Sequence, residues 1–376
     1  MKTLFETCTV GAIDIKNRII RSATHEGTAV DGMVSDTFVE LYEELSKGNI
    51  GLIITGYAAV SGTDHAGPTT LALTDDSVIE GLTHITRIAH EQGTKIVAQL
   101  NHQSSSLWSA PEGPVFGPSA VTDPVSGITP EPFTTGQVRM LIDEFADAAL
   151  RAQKAGFDGV QIHGAHGYLF SKWLSPRYNK RTDEYGGSVA NNARVIVETL
   201  KAIKDKCGKA YPVWIKLNCS DFDPEDDGVT EDIFLTTANI LTENGIDAIE
   251  VSGGTQDGKY ASARPRKFSA YHRESAEKLT RMVDVSVVLV GGMRSLDLAE
   301  EILANTEIEA ISLCRPLIRE PQLVKRWAEG DRKDAACVAC NGCFNPNGTK
   351  CFFTLSDAEK EAQKNIMRML AKIKSA

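Results

Sequence analysis

Short apolar runs alternate with stretches of helical period along the whole of this 376-residue chain. The runs are rich in β-branched residues and predict strands at 18–23, 51–56, 95–100, 159–163, 212–217, 248–252, 285–290 and 310–313. Helices are expected at 39–46, 78–92, 138–155, 192–206, 233–243, 275–283, 296–304 and 322–328. Strict alternation of eight strands with eight helices predicts an α/β fold, a single (β/α)8 TIM barrel.

A doubly wound parallel sheet is the alternative for such an alternation. That fold requires Gly-x-Gly-x-x-Gly after its first strand, and Ala23-Thr24-His25-Glu26-Gly27 does not supply it. Ahead of the first strand, 8–15 is predicted to form a β-hairpin that turns at Gly11-Ala12 and closes the bottom of the barrel. In such a barrel the chemistry lies at the carboxyl ends of the strands.

Two imidazoles and a phenol follow the fourth predicted strand, at His163, His166 and Tyr168. Two His can donate hydrogen bonds to one oxygen that gains negative charge, and a nearby Tyr can supply a proton, which together suit reduction of an activated double bond. His-x-x-His is also compatible with a metal site or a packed loop, so a zinc-dependent barrel lyase or hydrolase remains open. Tyr185 is a rival phenol, expected to pack its ring.

The run from Leu169 to Ser188, continuing to Arg194 and including Ser175-Pro176-Arg177 and Thr182-Asp183-Glu184-Tyr185-Gly186-Gly187, resembles the signature of the old yellow enzyme family. Members of that family are FMN-dependent NAD(P)H:flavin oxidoreductases. The resemblance implies an ene-reductase that takes electrons from NAD(P)H and reduces the C=C bond of an α,β-unsaturated carbonyl compound. His163 and His166 would then hold the carbonyl oxygen, and Tyr168 would protonate the α-carbon.

A phosphate site is predicted where the last two strands end. Gly291-Gly292 follows the seventh strand and Cys314-Arg315 follows the eighth, which is the usual position for backbone N–H groups and a cation around an anion in a barrel. The resemblance implies that these loops hold the FMN phosphate.

The resemblance also assigns residues to the flavin ring. Ala23, Thr24 and Gly56 would line its edge, Gln99 would bond its pyrimidine, and Lys216 would place positive charge near N1 and O2, where a cation stabilises the anionic reduced flavin. His25 would lie beside the flavin at a position where many members have Thr or Cys. His occurs there in the branch that resembles the 2,4-dienoyl-CoA reductases.

Four cysteines, Cys337, Cys340, Cys343 and Cys351, lie within fifteen residues. Such crowding favours a metal or cluster site over disulfides in a reducing compartment, and the spacing resembles the iron-sulfur motif of the dienoyl-CoA reductase and trimethylamine dehydrogenase branch. The last gap is shorter than in those enzymes, and the FAD and NAD(P)H domains that follow their cluster are not in this sequence. A 4Fe-4S cluster, structural zinc and free thiols therefore all remain open.

The remaining expectations come from bulk properties. A net charge of -10 without a basic cluster argues against nucleic acid as a partner, and the sequence shows neither a signal peptide nor a membrane-spanning stretch, so a cytoplasmic protein is expected. Residues 1–335 are expected to form the FMN-binding barrel. Residues 336–376 would form a Cys-rich loop and an amphipathic helix packed on it, not an independent domain.

Two questions of partnership stay open at this point. The C-terminal helix could dock on the barrel or meet another copy in a homo-oligomer. The alternative to a self-sufficient ene-reductase is an electron-transfer subunit, whose flavin and cluster would serve a partner chain.

Overall fold

The computed structural model describes residues 2–107, 111–223, 225, 227–256, 263–343 and 348–373, with side chains described through Asn365. Eight parallel strands close into a barrel, which confirms the predicted (β/α)8 fold. Numbered β1 to β8 in chain order, they are Ile19–Arg21, Leu52–Ala59, Lys95–Asn101, Gly159–Gly164, Val213–Asn218, Ala248–Ser252, Ser286–Val290 and Ala310–Leu313. The barrel closes where β8 pairs with β1, with Ile311 opposite Ile19.

Helices connect the strands and cover the barrel. Their bounds are Asp36–Ser46, Ile79–Glu91, Thr135–Lys154, Leu169–Leu174, Val189–Cys207, Glu231–Glu243, Arg273–Thr280, Leu296–Asn305, Arg315–Arg319, Leu323–Ala328 and Asp357–Ile373. No helix among the described residues is long and apolar enough to cross a membrane.

Several helices begin earlier than their apolar period predicts. The first helix begins at Asp36 rather than 39 because Ser35 caps it, accepting a hydrogen bond from the N–H of Phe38. Ser188 does the same for Val189–Cys207. Capped first turns are polar, so they lie outside the apolar stripe from which the start was predicted. Two short helices, Leu169–Leu174 and Arg315–Arg319, were not predicted, since five or six residues are too few to show a period.

An apolar floor fills the lower half of the barrel. The predicted hairpin is present as Cys8–Val10 paired with Ile13–Ile15, and its side chains pack on inward residues of the barrel strands such as Trp214. The indole Nε1 of Trp214 donates to the carbonyl of Gly11 at 2.9 Å. The hairpin therefore closes the bottom, and polar groups in the barrel interior lie above it.

The Cys-rich segment bonds to the loops at the top of the barrel. Thr349 donates its N–H to the carbonyl of Glu26 at 2.7 Å and its hydroxyl to that of His25 at 2.5 Å. The helix Asp357–Ile373 begins with Ser356 and Glu359 capping each other, and Gln363 donates to the carbonyl of Gly342 at 2.9 Å. The division of the chain at residue 335 stays a prediction.

Candidate active site

The end of β4 and the loop that follows it bring the three predicted catalytic residues close together. The chain turns sharply because His166 and Gly167 adopt left-handed backbone angles, with φ of 64° and 76°. The ring centroid of His163 lies 5.1 Å from that of His166 and 5.0 Å from that of Tyr168. The backbone N–H of His166 donates to Asn218 Oδ1 at 3.1 Å, which ties the loop to the end of β5.

Both imidazoles are held in the neutral form. Burial lowers the pKa of each well below its usual value; the neighbouring His166 and then Lys216 lower that of His163 further, and Lys216 does the same for His166. The N–H of Ala165 donates to His163 Nδ1 at 3.3 Å, so the ring proton of His163 belongs on Nε2. The Nε2 of His166 lies 2.7 Å from Ser252 Oγ. Neutral imidazoles of this kind are hydrogen-bond donors rather than acids.

Tyr168 belongs to a row of aromatic rings. Its ring centroid is 5.5 Å from that of Tyr57, and Tyr57 in turn stacks on His25 at 5.2 Å. Burial raises the pKa of Tyr57 to about 12 and lowers that of His25, so both are neutral at ordinary pH. Tyr185, the rival phenol, lies elsewhere: it donates to Glu198 at 2.7 Å and packs on Trp173, as expected of a structural ring.

A polar layer lies inside the barrel above the apolar floor. Its members are Ser22, Gln99, Gln161, Lys216 and Glu250, each at most 3% exposed. Lys216 Nζ lies 3.2 Å from Glu250 and donates to Ser22 Oγ at 2.8 Å. Ser22 and Gln161 donate to the two Glu250 oxygens at 2.7 and 2.8 Å, and Gln99 donates to Gln161 at 2.8 Å. The two residues predicted to face the flavin ring, Gln99 and Lys216, are thus joined by one network.

Neighbouring residues lie close to the backbone of the two glycines after β7. Gly291 and Gly292 have φ of 119° and 72°, and a Cβ on Gly292 would lie 2.9 Å from the carbonyl oxygen of Phe268. Both line a pocket that continues to Lys216 and Ser22. Glycine is therefore required here both by backbone angle and by space.

Two arginines stand at the same end of that pocket. Arg315 donates to the carbonyl of Arg264 at 3.0 Å and to Asn341 at 2.5 Å, whereas Arg294 donates to the carbonyls of Arg266 and Phe268. Burial, and then the charge of Arg315, lowers the pKa of Arg294. Two guanidinium groups beside glycine backbone form a site suited to an anion.

The other residues predicted for the flavin edge divide into two groups. Ala23 lines the pocket, as does Cys314 of the predicted phosphate site, and Thr24 donates its hydroxyl to Cys314 Sγ at 3.2 Å. Gly56 instead donates its N–H to Glu26 at 2.6 Å, and a Cβ there would lie 2.0 Å from that carboxylate. The contact of Gly56 and His25 with a flavin stays a prediction.

The four clustered cysteines share one neighbourhood. Burial, followed by the charges of Cys314, Cys337, Cys351 and Cys340, raises the pKa of the Cys343 thiol to about 12. Nevertheless, no three His, Cys, Asp or Glu side chains within the described ranges are arranged to hold a metal ion. The thiols alone do not form a ready metal site, and the cluster stays a prediction.

Sequence reasoning did not select Gln161, Glu250 or Arg294. The first two are polar residues inside apolar strands, as in Ile249-Glu250-Val251, and a charge in a buried strand was the signal that could have identified Glu250. Arg294 directly follows Gly291-Gly292-Met293 in the sequence, so its position at the phosphate end could also have been inferred.

The chain belongs to the NADH:flavin oxidoreductase / NADH oxidase family, which it matches over residues 3–334. It is 32% identical over 348 residues to a metal reductase of Desulforamulus reducens, covering 92% of this chain but 52% of that protein. An NADPH dehydrogenase of Bacillus velezensis is 33% identical over 333 residues, covering 87% of this chain and 95% of that protein. The chain thus spans about half the length of the first relative and nearly all of the second.

A solved structure of 2-naphthoyl-CoA reductase with 2-naphthoyl-CoA superposes with a TM-score of 0.86 at 25% identity, over 93% of this chain and 56% of that one. Family membership makes FMN the cofactor to test against the site. The pocket fits it: Lys216 lines one part, and Gly291, Gly292 and Arg315 line another, so a cation for the ring and donors for a phosphate lie along one pocket.

Proposed function

We propose that this chain is an FMN-dependent NAD(P)H oxidoreductase of the ene-reductase type, which reduces the activated C=C bond of an α,β-unsaturated carbonyl compound. The observation that carries the proposal is the pair of neutral imidazoles of His163 and His166, 5.1 Å apart, beside the phenol of Tyr168. Family membership supports the flavin and the pyridine nucleotide as redox partners.

Bound FMN would supply the hydride that reaches the β-carbon. Lys216, Gln99, Ala23, Thr24, His25 and Gly56 are the residues we assign to its ring, and Gly291, Gly292, Cys314 and Arg315 those we assign to its phosphate. We also assign Arg294 to the phosphate, because it lines the same end of the pocket as Arg315.

The protein's own groups complete the reduction. His163 Nε2–H and an N–H of His166 donate to the carbonyl oxygen of the substrate, so that negative charge is stabilised there as the hydride arrives. Tyr168 then gives its phenolic proton to the α-carbon, and solvent returns a proton to the tyrosine. The substrate gains one hydride and one proton, and a saturated carbonyl compound leaves.

The test is anaerobic turnover of the FMN-loaded chain with NADH or NADPH and 2-cyclohexenone. We expect the nucleotide to be oxidised in proportion to the enone reduced. Loss of the phenolic proton in Tyr168→Phe should slow enone reduction by about 100-fold, with flavin reduction by the nucleotide nearly unchanged. Tyr185→Phe is the matched control and should keep the wild-type rate, since that phenol lies against Glu198.

Two outcomes would contradict these roles. A chain that stays colourless with added FMN is not a flavoprotein, and a zinc-dependent activity would then have to be sought. Loss of FMN from Tyr168→Phe would mean that the phenol holds the cofactor instead of supplying a proton.

A second candidate is an electron-transfer role with a partner that holds the pyridine-nucleotide site. The gathering of Cys337, Cys340, Cys351 and Cys314 around Cys343 favours it, because thiolates at such density are ligands for an iron-sulfur cluster. Iron and acid-labile sulfide in the anaerobically purified protein, with a flavin that dithionite reduces and NADH does not, would support this role. Stoichiometric zinc, or neither metal, would argue against it.

A further inference from the structure

Glu250 is the centre of the hydrogen bonds that cross the barrel interior. Its carboxylate is fully buried on β6. One oxygen accepts from Ser22, the residue after β1, at 2.7 Å; the other accepts from Gln161 of β4 at 2.8 Å and lies 3.2 Å from Lys216 Nζ. Burial alone would raise the pKa of Glu250, but Lys216 and the hydrogen bonds from Ser22 and Gln161 outweigh it and lower that pKa. The group is therefore ionised.

An ionised carboxylate fixes the orientation of the two neighbouring amides. It can only accept hydrogen bonds, so Gln161 must turn its NH2 group toward Glu250 and its oxygen away. That oxygen accepts from Gln99 Nε2 at 2.8 Å. Gln99 is thereby left with an amide oxygen, Oε1, that takes no hydrogen bond from any described residue. The charge of Glu250 thus determines which atom Gln99 can offer to a ligand.

The same carboxylate places the cation. Lys216 and Glu250 face each other on paired strands, yet Lys216 lines the pocket and Glu250 does not. The ammonium of Lys216 therefore faces the pocket. The carboxylate of Glu250 lies beneath the pocket and offsets part of the positive field of Lys216. A ligand above the layer meets a positive charge that is weaker than a bare ammonium would be.

We propose that Glu250 is a positioning residue of the flavin site, which orients the Gln161–Gln99 amides so that Gln99 presents an acceptor oxygen and which moderates the charge of Lys216. The assignment rests on the proposed function, in which the ligand is FMN. The pyrimidine edge of the isoalloxazine carries one N–H donor, at N3, flanked by carbonyl acceptors. A fixed acceptor on Gln99 recognises that donor, and a glutamine free to flip would not.

The test is Glu250→Gln in the FMN-loaded protein. An amide at position 250 can donate or accept, so the glutamines gain a second orientation. We expect FMN to bind about tenfold more weakly. The midpoint potential of the bound flavin should move to a more positive value, because removing the buried negative charge favours anionic reduced flavin. The N3 resonance of bound 15N-labelled FMN should shift toward that of free FMN.

Gln161→Leu is the second variant, since Glu250→Gln leaves Lys216 without its counter-ion and can fail to fold. It keeps the ion pair and breaks only the amide chain, so the N3 resonance should shift while the potential changes less than in Glu250→Gln. Asp158→Asn is the matched control: it removes a carboxylate that accepts from Lys95 at 2.8 Å and from the N–H of Ile96 at the start of β3, the opposite end of the barrel. It should leave both readouts at their wild-type values.

The outcomes separate this inference from the proposed function. A wild-type chain that binds no FMN overturns the proposed function and this assignment together. A wild-type chain that binds FMN, with the potential and the N3 resonance unchanged in both variants, overturns the role of Glu250 alone. A shift as large in Asp158→Asn as in Glu250→Gln would also overturn it, because the effect would then be one of general charge.

Discussion

The polar layer and the rim directly above it are similarly buried but differ in how their polar atoms are paired. The rim is Asn101, at the carboxyl end of β3. Lys216 and Glu250 of the layer are 3% and 0% exposed, and Asn101 is 1% exposed. Burial therefore does not distinguish the two.

Pairing does distinguish them. The charged groups of the layer face each other at 3.2 Å and share three further hydrogen bonds. Among the described residues, neither amide atom of Asn101 has a hydrogen-bond partner, and its side chain points into the barrel two residues above Gln99. A buried polar atom without a partner costs folding free energy, so the amide of Asn101 should lower the stability of the apoprotein.

The largest expected effect is the loss of folding stability at acid pH. Burial lowers the pKa of His163 and His166 well below the usual value, and lowers those of His102 and His272 to about 3. The unfolded chain takes up protons on these groups below about pH 6.5, while the fold holds them neutral, so stability falls as pH falls, by about 1.4 kcal/mol per pH unit for each group. Denaturant titrations of the apoprotein at a series of pH values measure this.

Two carboxyls work in the opposite direction. Burial raises the pKa of Asp64 to about 7 and that of Asp221 to about 6, so the folded chain binds these protons before the unfolded chain does. Four imidazoles less two carboxyls leave a net slope of about 3 kcal/mol per pH unit between about pH 6 and 5. His166→Gln should lower the slope by about one group's share. Stability that is flat from neutral pH to pH 5 would mean that the imidazoles are charged in the fold.

Loss of the layer's cation should have the next largest effect. Lys216→Met leaves Glu250 buried without its counter-ion, which should lower the free energy of unfolding by about 3 kcal/mol. Lys95→Met is the matched control, since Lys95 pairs with Asp158 at 2.8 Å but its side chain is 39% exposed, and it should cost less than about 1 kcal/mol. Equal losses in urea titrations of the two variants would show that the buried ion pair contributes no more to stability than the partly exposed one.

The fold was predictable from sequence because its signals are local. Each barrel strand is a short, largely apolar run, and His163, His166 and Tyr168 lie within six residues at the end of one of them. The layer could not be predicted in this way, because Ser22 and Glu250 are 228 residues apart and meet only once the barrel closes. What the sequence does carry is the anomaly of a charge between Ile249 and Val251, without any sign of its partner.

The rim should give the smallest effect and the opposite sign. Asn101→Leu replaces an amide that is not hydrogen-bonded to any described residue. The new apolar side chain is of similar size, so the apoprotein should gain about 1 kcal/mol of stability. The same change in the layer, Gln161→Leu, removes two hydrogen bonds and should destabilise. Urea titrations of the two variants compare equal chemistry at two depths of one barrel. If Asn101→Leu lost stability as Gln161→Leu does, the amide of Asn101 would have to be paired in solution, and unpaired atoms would no longer separate the rim from the layer.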